Sequence, residues 1–318
     1  MGSAFLAGDG PVRPLSEEEA VAYSGTGLVW VHLEGQDELA AEVHRSDEHI
    51  PDVAAHALVA TETRPRCDRF DAGALINIRG PAADESAGTD RLVSIRLWAR
   101  QGKVNSVTRH PLAATASVMD QMEAGRILDP GDLVAAFARG ISKQLDPQVA
   151  DLGDRLDDCE SALDDRNSVY RLRTEIARIR SEAISFRRFV APDRDALSTL
   201  AGLDYDWIAE EDRLHIREAA DRFARMTEEL EAVRERASLL HEQLTDLRGE
   251  LMESRSLLIS IVAFIFLPLT FVTGLLGMNV EGIPYQHAPW AFWGVVGFCV
   301  VIGAVVLAWF MARHWLNR

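Results

Sequence analysis

At 318 residues the chain exceeds what one ordinary core supports, so several structural parts are expected and a small stapled scaffold is excluded. The hydrophobic share of 47% suits a soluble protein, but residues 255–318 carry only Arg255, Arg313, Arg318 and Glu281 as charges, leaving 30 basic against 48 acidic residues before them. That surplus argues against unaided nucleic-acid binding and suits contact with cations, although solubilising surface charge is the simpler account. Cys67, Cys159 and Cys299 are scattered, odd in number and without C-x-x-C spacing, so neither a disulfide framework nor a zinc knuckle is expected.

The N-terminal MGSAFLAGDG lacks the basic segment and long apolar run of an export signal. Leu28 to Leu33, Ala74 to Ile78, Leu92 to Ala99 and Val104 to Thr108 have the apolar, β-branched content of strands, and Pro81 to Asp90 reads as a loop. His44, Asp47, Glu48 and His49 form the densest group of metal-ligand residue types. Without a third spatial partner they read as an exposed helix end, and His56, four residues after Asp52, is a similarly weak signal. Leu133 to Leu163 and Val169 to Phe189 have helical spacing, which makes residues 1–204 an α/β domain with long helices.

Residues 205–256 read as a stalk helix. Phe223, Met226, Leu230, Val233, Ala237, Leu240, Leu244, Leu247 and Leu251 repeat in a coiled-coil-like 3,4 pattern, with interleaved charges as the solvated face. Nothing breaks this pattern before the apolar tail, so one helix of roughly 100 Å is expected from about Asp212 to Leu276.

Leu257 to Leu276 is 20 residues without charge and Ala291 to Met311 is 21, each long enough to cross a hydrocarbon core of ~30 Å. The tail divides into a first span with its closing turn (257–279), an outer loop (280–289), a second span (290–312) and a basic tail (313–318). Arg248 and Arg255 precede the first span, Arg313 and Arg318 follow the second, and the loop holds no Lys or Arg, so both termini are expected in the cytoplasm. Trp290, Trp293, Trp309 and Trp315 read as interfacial anchors. The second span is apolar all round. The first carries Glu253, Ser256, Ser260, Ala263, Leu267, Thr270 and Gly274 at alternating steps of three and four, a stripe that leads on to Gly277, Met278 and Asn279. The stripe fits a helix-packing seam and an aqueous lining equally well, and two helices cannot enclose water, so a pore requires several subunits.

No Gly-rich phosphate loop with Lys, G-x-S-x-G elbow or H-E-x-x-H helix is present. His241-Glu242 begins the last of these, but Thr245 stands where the second His belongs, so an enzyme is not expected.

Gly277-Met278-Asn279, closing the first of two C-terminal spans after Leu267-Pro268-Leu269-Thr270-Phe271, resembles the signature of the CorA family of two-span divalent cation transporters. Thr61-Glu62-Thr63-Arg64-Pro65-Arg66, Ala191-Pro192-Asp193-Arg194-Asp195 and Glu281-Gly282-Ile283-Pro284 resemble its zinc-transport, ZntB-like branch. The resemblance implies a homopentamer in the bacterial inner membrane, with a cytoplasmic α/β funnel, a stalk helix running into a pore-lining first span, and an outer ring of second spans. It implies that Asn279 forms the outer selectivity ring around a hydrated ion and that Thr270 lines the pore. Leu267 stands where the family has methionine, which keeps an apolar constriction without the thioether. In the outer loop, Glu281 is expected to concentrate cations at the mouth, and His287 fits zinc better than magnesium. The expected cargo is Zn2+, with Mg2+, Co2+, Ni2+ or Cd2+ as alternatives, and the expected partners are further copies of the chain and the bilayer. A reading from another class is a membrane-anchored coiled-coil sensor or scaffold, for which neither the stripe nor the Gly-Met-Asn turn is needed.

Overall fold

A computed structural model describes residues 2–8, 10–35, 47, 49–61, 64–84, 92–163, 169–278, 283 and 288–316. The chain divides into two compact units, Met1–His241 and Glu242–Arg318.

The first unit is built on a seven-stranded mixed sheet. Its strands are β1 (Gly2–Ala7), β2 (Arg13–Leu15), β3 (Leu28–Glu34), β4 (Arg66–Phe70), β5 (Gly73–Pro81), β6 (Leu92–Arg100) and β7 (Lys103–Thr108). They lie in the order β2-β1-β3-β7-β6-β5-β4, antiparallel throughout except where β3 meets β7. The four expected strands are its centre, each one to four residues longer than the apolar run that announced it. Helices cover both faces, so the central strands are buried almost without interruption instead of alternating with solvent.

One face packs Val29, Val31, Leu33, Leu75, Trp98 and Val107 against two short helices, α1 (Glu17–Ala22) and α2 (Asp52–Val59). At six and eight residues these helices are too short to persist alone, so their ends need tertiary partners. Ser16 and Glu19 form a reciprocal capping box at the start of α1. Cations on the sheet and at the end of β7 serve the C-terminal ends of both helices. Lys103 Nζ donates to Ala20 O at 3.0 Å, Arg96 Nη1 to Leu58 O at 2.9 Å and Arg109 Nη2 to Val59 O at 2.8 Å. Each positive group meets the negative end of a helix dipole and occupies a carbonyl that the helix leaves open. Burial, with Arg109 and Arg79 nearby, pulls the Arg96 guanidinium down to about 10.

Asp47 also lies on this face and departs from the sequence expectation. It is 2% exposed, not a solvated helix end, and takes Arg100 Nε at 2.8 Å and Nη2 at 3.1 Å, with the His49 N–H at 3.0 Å. Burial raises its carboxyl, but the Arg100 hydrogen bonds outweigh that and hold it below the usual carboxylate range. His44 and Glu48 lie outside the described residues. His56 is exposed on α2.

The opposite face carries Trp30, which meets Phe137 edge-on at 5.7 Å, and Gly80, where a Cβ would fall 2.8 Å from Ile141. These contacts seat α4 (Pro130–Ser161), which follows α3 (Ala114–Glu123). The helix α5 (Val169–Ala201) runs past Phe189, where the expected helical stretch ended, and carries the Pro192-Asp193 string inside it. Asp193 is fully buried, accepts the Arg79 N–H at 3.0 Å, and is raised well above its ordinary value by burial. Tyr205 closes the β4–β5 turn, taking the Phe70 N–H at 3.2 Å and donating to Gly73 O at 2.6 Å. The long helix α6 (Glu210–Leu276) then buries Ile216, Phe223, Met226, Leu230, Val233, Ala237, Leu240 and Leu244.

Asp47→Ala removes the carboxylate that two Arg100 bonds reach and leaves buried positive charge behind. The expected loss is about 3 kcal/mol, seen as a lower thermal midpoint of the purified chain in detergent, with Asp47→Asn falling between the two.

Candidate functional site

The second unit contains the C-terminal part of α6 and α7 (Ala291–Leu316), and both carry windows long and apolar enough to cross a membrane. In hydrocarbon every backbone polar group must be satisfied within the chain, which a helix achieves locally. Pro268 interrupts this by removing the N–H that would reach Phe264 O, yet α6 runs through it. Thr270 Oγ1 donates to Phe266 O at 2.7 Å and Thr273 Oγ1 to Leu269 O at 2.9 Å on either side of the proline, and Ser260 Oγ donates to Ser256 O at 2.9 Å. A hydroxyl whose proton is committed to its own helix presents only lone pairs to whatever lies beside it.

All seven stripe residues, Glu253, Ser256, Ser260, Ala263, Leu267, Thr270 and Gly274, are exposed, Leu267 by 75%. Apart from Pro268, the half-buried residues of this span, Ile261, Ile265, Leu269, Val272 and Leu276, also recur at steps of three and four, but on the opposite side of the helix. The α7 residues Val295, Cys299, Ile302, Val306 and Phe310 form a half-buried row of the same period, and the Phe264 and Phe310 rings lie 6.1 Å apart. The second span therefore meets the first on its apolar side, and among the described residues nothing in the unit covers the polar stripe. That distinction was not available from sequence, where α7 is apolar all round. Gly277 N–H closes the helix on Thr273 O at 2.9 Å, and a Cβ at Gly277 would sit 3.0 Å from that same oxygen. Met278 is 49% exposed. Asn279, Glu281 and His287 lie outside the described residues.

Sequence reading missed one carboxylate cluster. Oxygens of Asp129, Asp132 and Asp212 lie within 4.8 Å of one another at the N-termini of α4 and α6. Each has a local duty: Asp129 takes the Asp132 N–H at 2.9 Å, Asp132 the Leu128 N–H at 2.9 Å, and Asp212 the Ala209 N–H at 2.8 Å. Gly131 permits the approach, since a Cβ there would lie 2.2 Å from Asp212 Oδ2. Asp129-Pro130-Gly131-Asp132 is legible as a helix start, but Asp212 comes from a helix 80 residues later. Of the thiols, burial pushes Cys67 up to about 12 and raises Cys159, so neither is an activated nucleophile.

An α/β unit followed by two helices that each carry an apolar window of membrane-spanning length, the first with an open polar stripe, defines a two-span integral membrane protein. The chain belongs to the CorA-like Mg2+ transporter protein family, whose model matches residues 25–314. It is 30% identical over 315 residues to the zinc transport protein ZntB of Pectobacterium carotovorum, covering 98% of this chain and 94% of that protein. It is 32% identical over 295 residues to the divalent cation transporter CmaX of Pseudomonas aeruginosa, covering 91% and 87%. The structure of full-length CmaX superposes with a TM-score of 0.74 at 29% identity, covering 96% of each chain.

Burial, then the Asp129 charge, raises the Asp212 carboxyl to about 7. The folded protein thus keeps a proton that the unfolded chain releases above about pH 4. The stabilising contribution is complete below that value and is lost as pH rises through about 7. Asp212→Asn, which keeps the acceptor for Ala209 N–H, should flatten the decline in thermal midpoint across neutral pH and exceed the parent on the alkaline side.

Proposed function

We propose that this chain is one protomer of a membrane transporter for divalent cations, with zinc as its principal cargo, conducting along a central axis lined by the first spans of several copies. The observation that carries this reading is the open stripe on the first span, opposite the side that meets its own second span. An anchor has no use for such a stripe. A ring of copies turns it inward and leaves the second spans to lipid. The family supports five copies, and the inner membrane with both termini cytoplasmic fits the basic residues Arg248, Arg255, Arg313 and Arg318 flanking a loop without Lys or Arg. Residues 1–204 serve as the cytoplasmic domain and 205–256 as the stalk.

At the outer end Asn279 presents a carboxamide oxygen to the water shell of the ion, a neutral acceptor that binds without trapping, while Gly277 and Met278 complete the turn. Inward of it, Gly274, Thr270, Leu267, Ala263, Ser260, Ser256 and Glu253 follow the same face. Thr270 and Ser260 have spent their protons on backbone carbonyls and accept from coordinated water, and Leu267 supplies the apolar constriction. Glu281 raises the local cation concentration at the mouth, and His287 offers an imidazole suited to zinc. A divalent ion moving inward gains ~4.6 kcal/mol per 100 mV, so capture at low concentration is the step that needs help. The zinc assignment draws on the ZntB relative; magnesium is the second reading, favoured by the matched family's description.

Flux into proteoliposomes, measured for zinc and magnesium with and without a pH gradient, tests this. Asn279→Ala should assemble normally and lose zinc flux; unchanged flux and ion selection would refute the role of Asn279, and magnesium movement without zinc would refute the cargo.

Glu281→Gln should weaken uptake at low zinc concentration, most at low ionic strength, and leave maximal flux largely intact. An unchanged concentration dependence would remove Glu281 from capture.

A further inference from the structure

The soluble unit has a net acidic surface, yet α5 collects arginines. Arg173, Arg180 and Arg187 recur every seven residues and all are exposed. Seven residues bring a helix back to nearly the same side, so these guanidiniums form one row at intervals of roughly 10 Å. Arg187 lies 2.7 Å from Glu231 of α6, a carboxylate that Arg234 also holds. Among the described residues, Arg173 and Arg180 have no carboxylate partner.

Where α4 meets α6 the balance is reversed. Asp146 and Asp154 are exposed on α4, and Gly153 brings that helix against Glu229, whose carboxylate oxygen would lie 3.8 Å from a Cβ there. Glu229 is raised by burial and then by the charges of Asp146 and Asp154, which brings three carboxylates together at this seam. Further along the same seam Arg236 is fully occupied by Asp157 and Glu160, at 2.6 Å each.

These regions lie on opposite flanks of the helix layer. Glu229 and Arg236, seven residues apart, mark the side of α6 that meets α4; Glu231, two residues from Glu229 and so about 200° around the helix, marks the side that meets α5. We propose that this layer is a two-sided docking surface for further copies of the chain, the arginine row of one copy seating on the Asp146, Asp154 and Glu229 flank of the next. A two-fold dimer that pairs either flank with itself opposes like charges. Side-by-side copies oppose unlike ones, and that heterologous contact closes into a ring when the rotation per copy allows. It also offsets locally the repulsion between chains of formal charge -16. The inference rests on the reading of the chain as a ring protomer and deepens it by naming the cytoplasmic contact.

The test uses the full chain in detergent, with oligomer mass read by native mass spectrometry across a salt series. Arg173→Glu with Arg180→Glu should lower association on the order of tenfold or more at low salt, as should Asp146→Lys with Asp154→Lys. The variant carrying all four changes restores unlike flanks and should recover the parental oligomer. Reversals that associate like the parent, or a fourfold variant no better than the doubles, would overturn the proposal. Circular dichroism checks folding. Should a reversal fail to fold, a bifunctional maleimide applied to co-expressed Asp154→Cys and Arg180→Cys chains decides. Crosslinks joining the two kinds of chain above the background of the native cysteines support the contact, and crosslinks only between like chains overturn it. Zinc flux on the same samples reads transport separately: charge-dependent association without flux counts against the transport reading alone, and flux with charge-independent association counts against this contact alone.

Discussion

The soluble unit depends on how buried positive charge is answered. Arg96 and Lys103 occupy interior strand positions at 3% and 6% exposure, where an unmatched cation would be prohibitively costly. They are stabilised by the carbonyl ends of α1 and α2, helices too short to stand unaided. Each partner removes the other's defect, the helix gaining a terminus and the cation a cluster of partial negative charge. Asp47 supplies a buried carboxylate on this face and is held to Arg100 in two-point geometry. The sheet can therefore bury both faces, which lets it carry α4 and α5 on the other side and gives α6 a surface to pack on.

The apolar spans of the second unit face the reverse problem, since a hydrocarbon surrounding would offer their polar groups no solvation. Hydroxyls on the first span bond backward to their own helix around Pro268, and the apolar row of that span is taken up by α7. What remains is one strip of mostly small and hydroxyl residues that, among the described residues, nothing in that unit covers. Family membership and the likeness to CmaX, ZntB and their relatives give that strip its context, and the geometry gives it a direction.

Much of this was legible in sequence. The four central strands have the β-branched runs that two-sided burial favours, and the long helix and both spans follow from unbroken periodicity and absence of charge. The pieces that escaped have weak local signals. Edge strand β4 reads Arg-Cys-Asp-Arg-Phe, and β1 contains Gly and Ser, so neither looks like a strand until a neighbour pairs with it. Arg96 and Lys103 look like surface residues because the carbonyls that hold them are 38 and 83 positions away. Asp47 looked exposed for the same reason. The stripe was readable from spacing alone, but which side of the helix its own partner covers was not, since α7 has no sequence face.

The back-bonded hydroxyls of Ser260 and Thr270 have a consequence for valence. In the pore proposed here these oxygens have no proton left to offer, so a chloride ion arriving beside them would meet lone pairs and find no donor. A metal ion brings its own donors in the water it carries. Discrimination between positive and negative permeants then arises from the direction of two hydrogen bonds, with no ionised side chain at the depth of Ser260 or Thr270. Because the first span has no ionisable side chain between Leu257 and Leu276, this part of the selectivity would stay constant whatever the acidity on either side of the membrane.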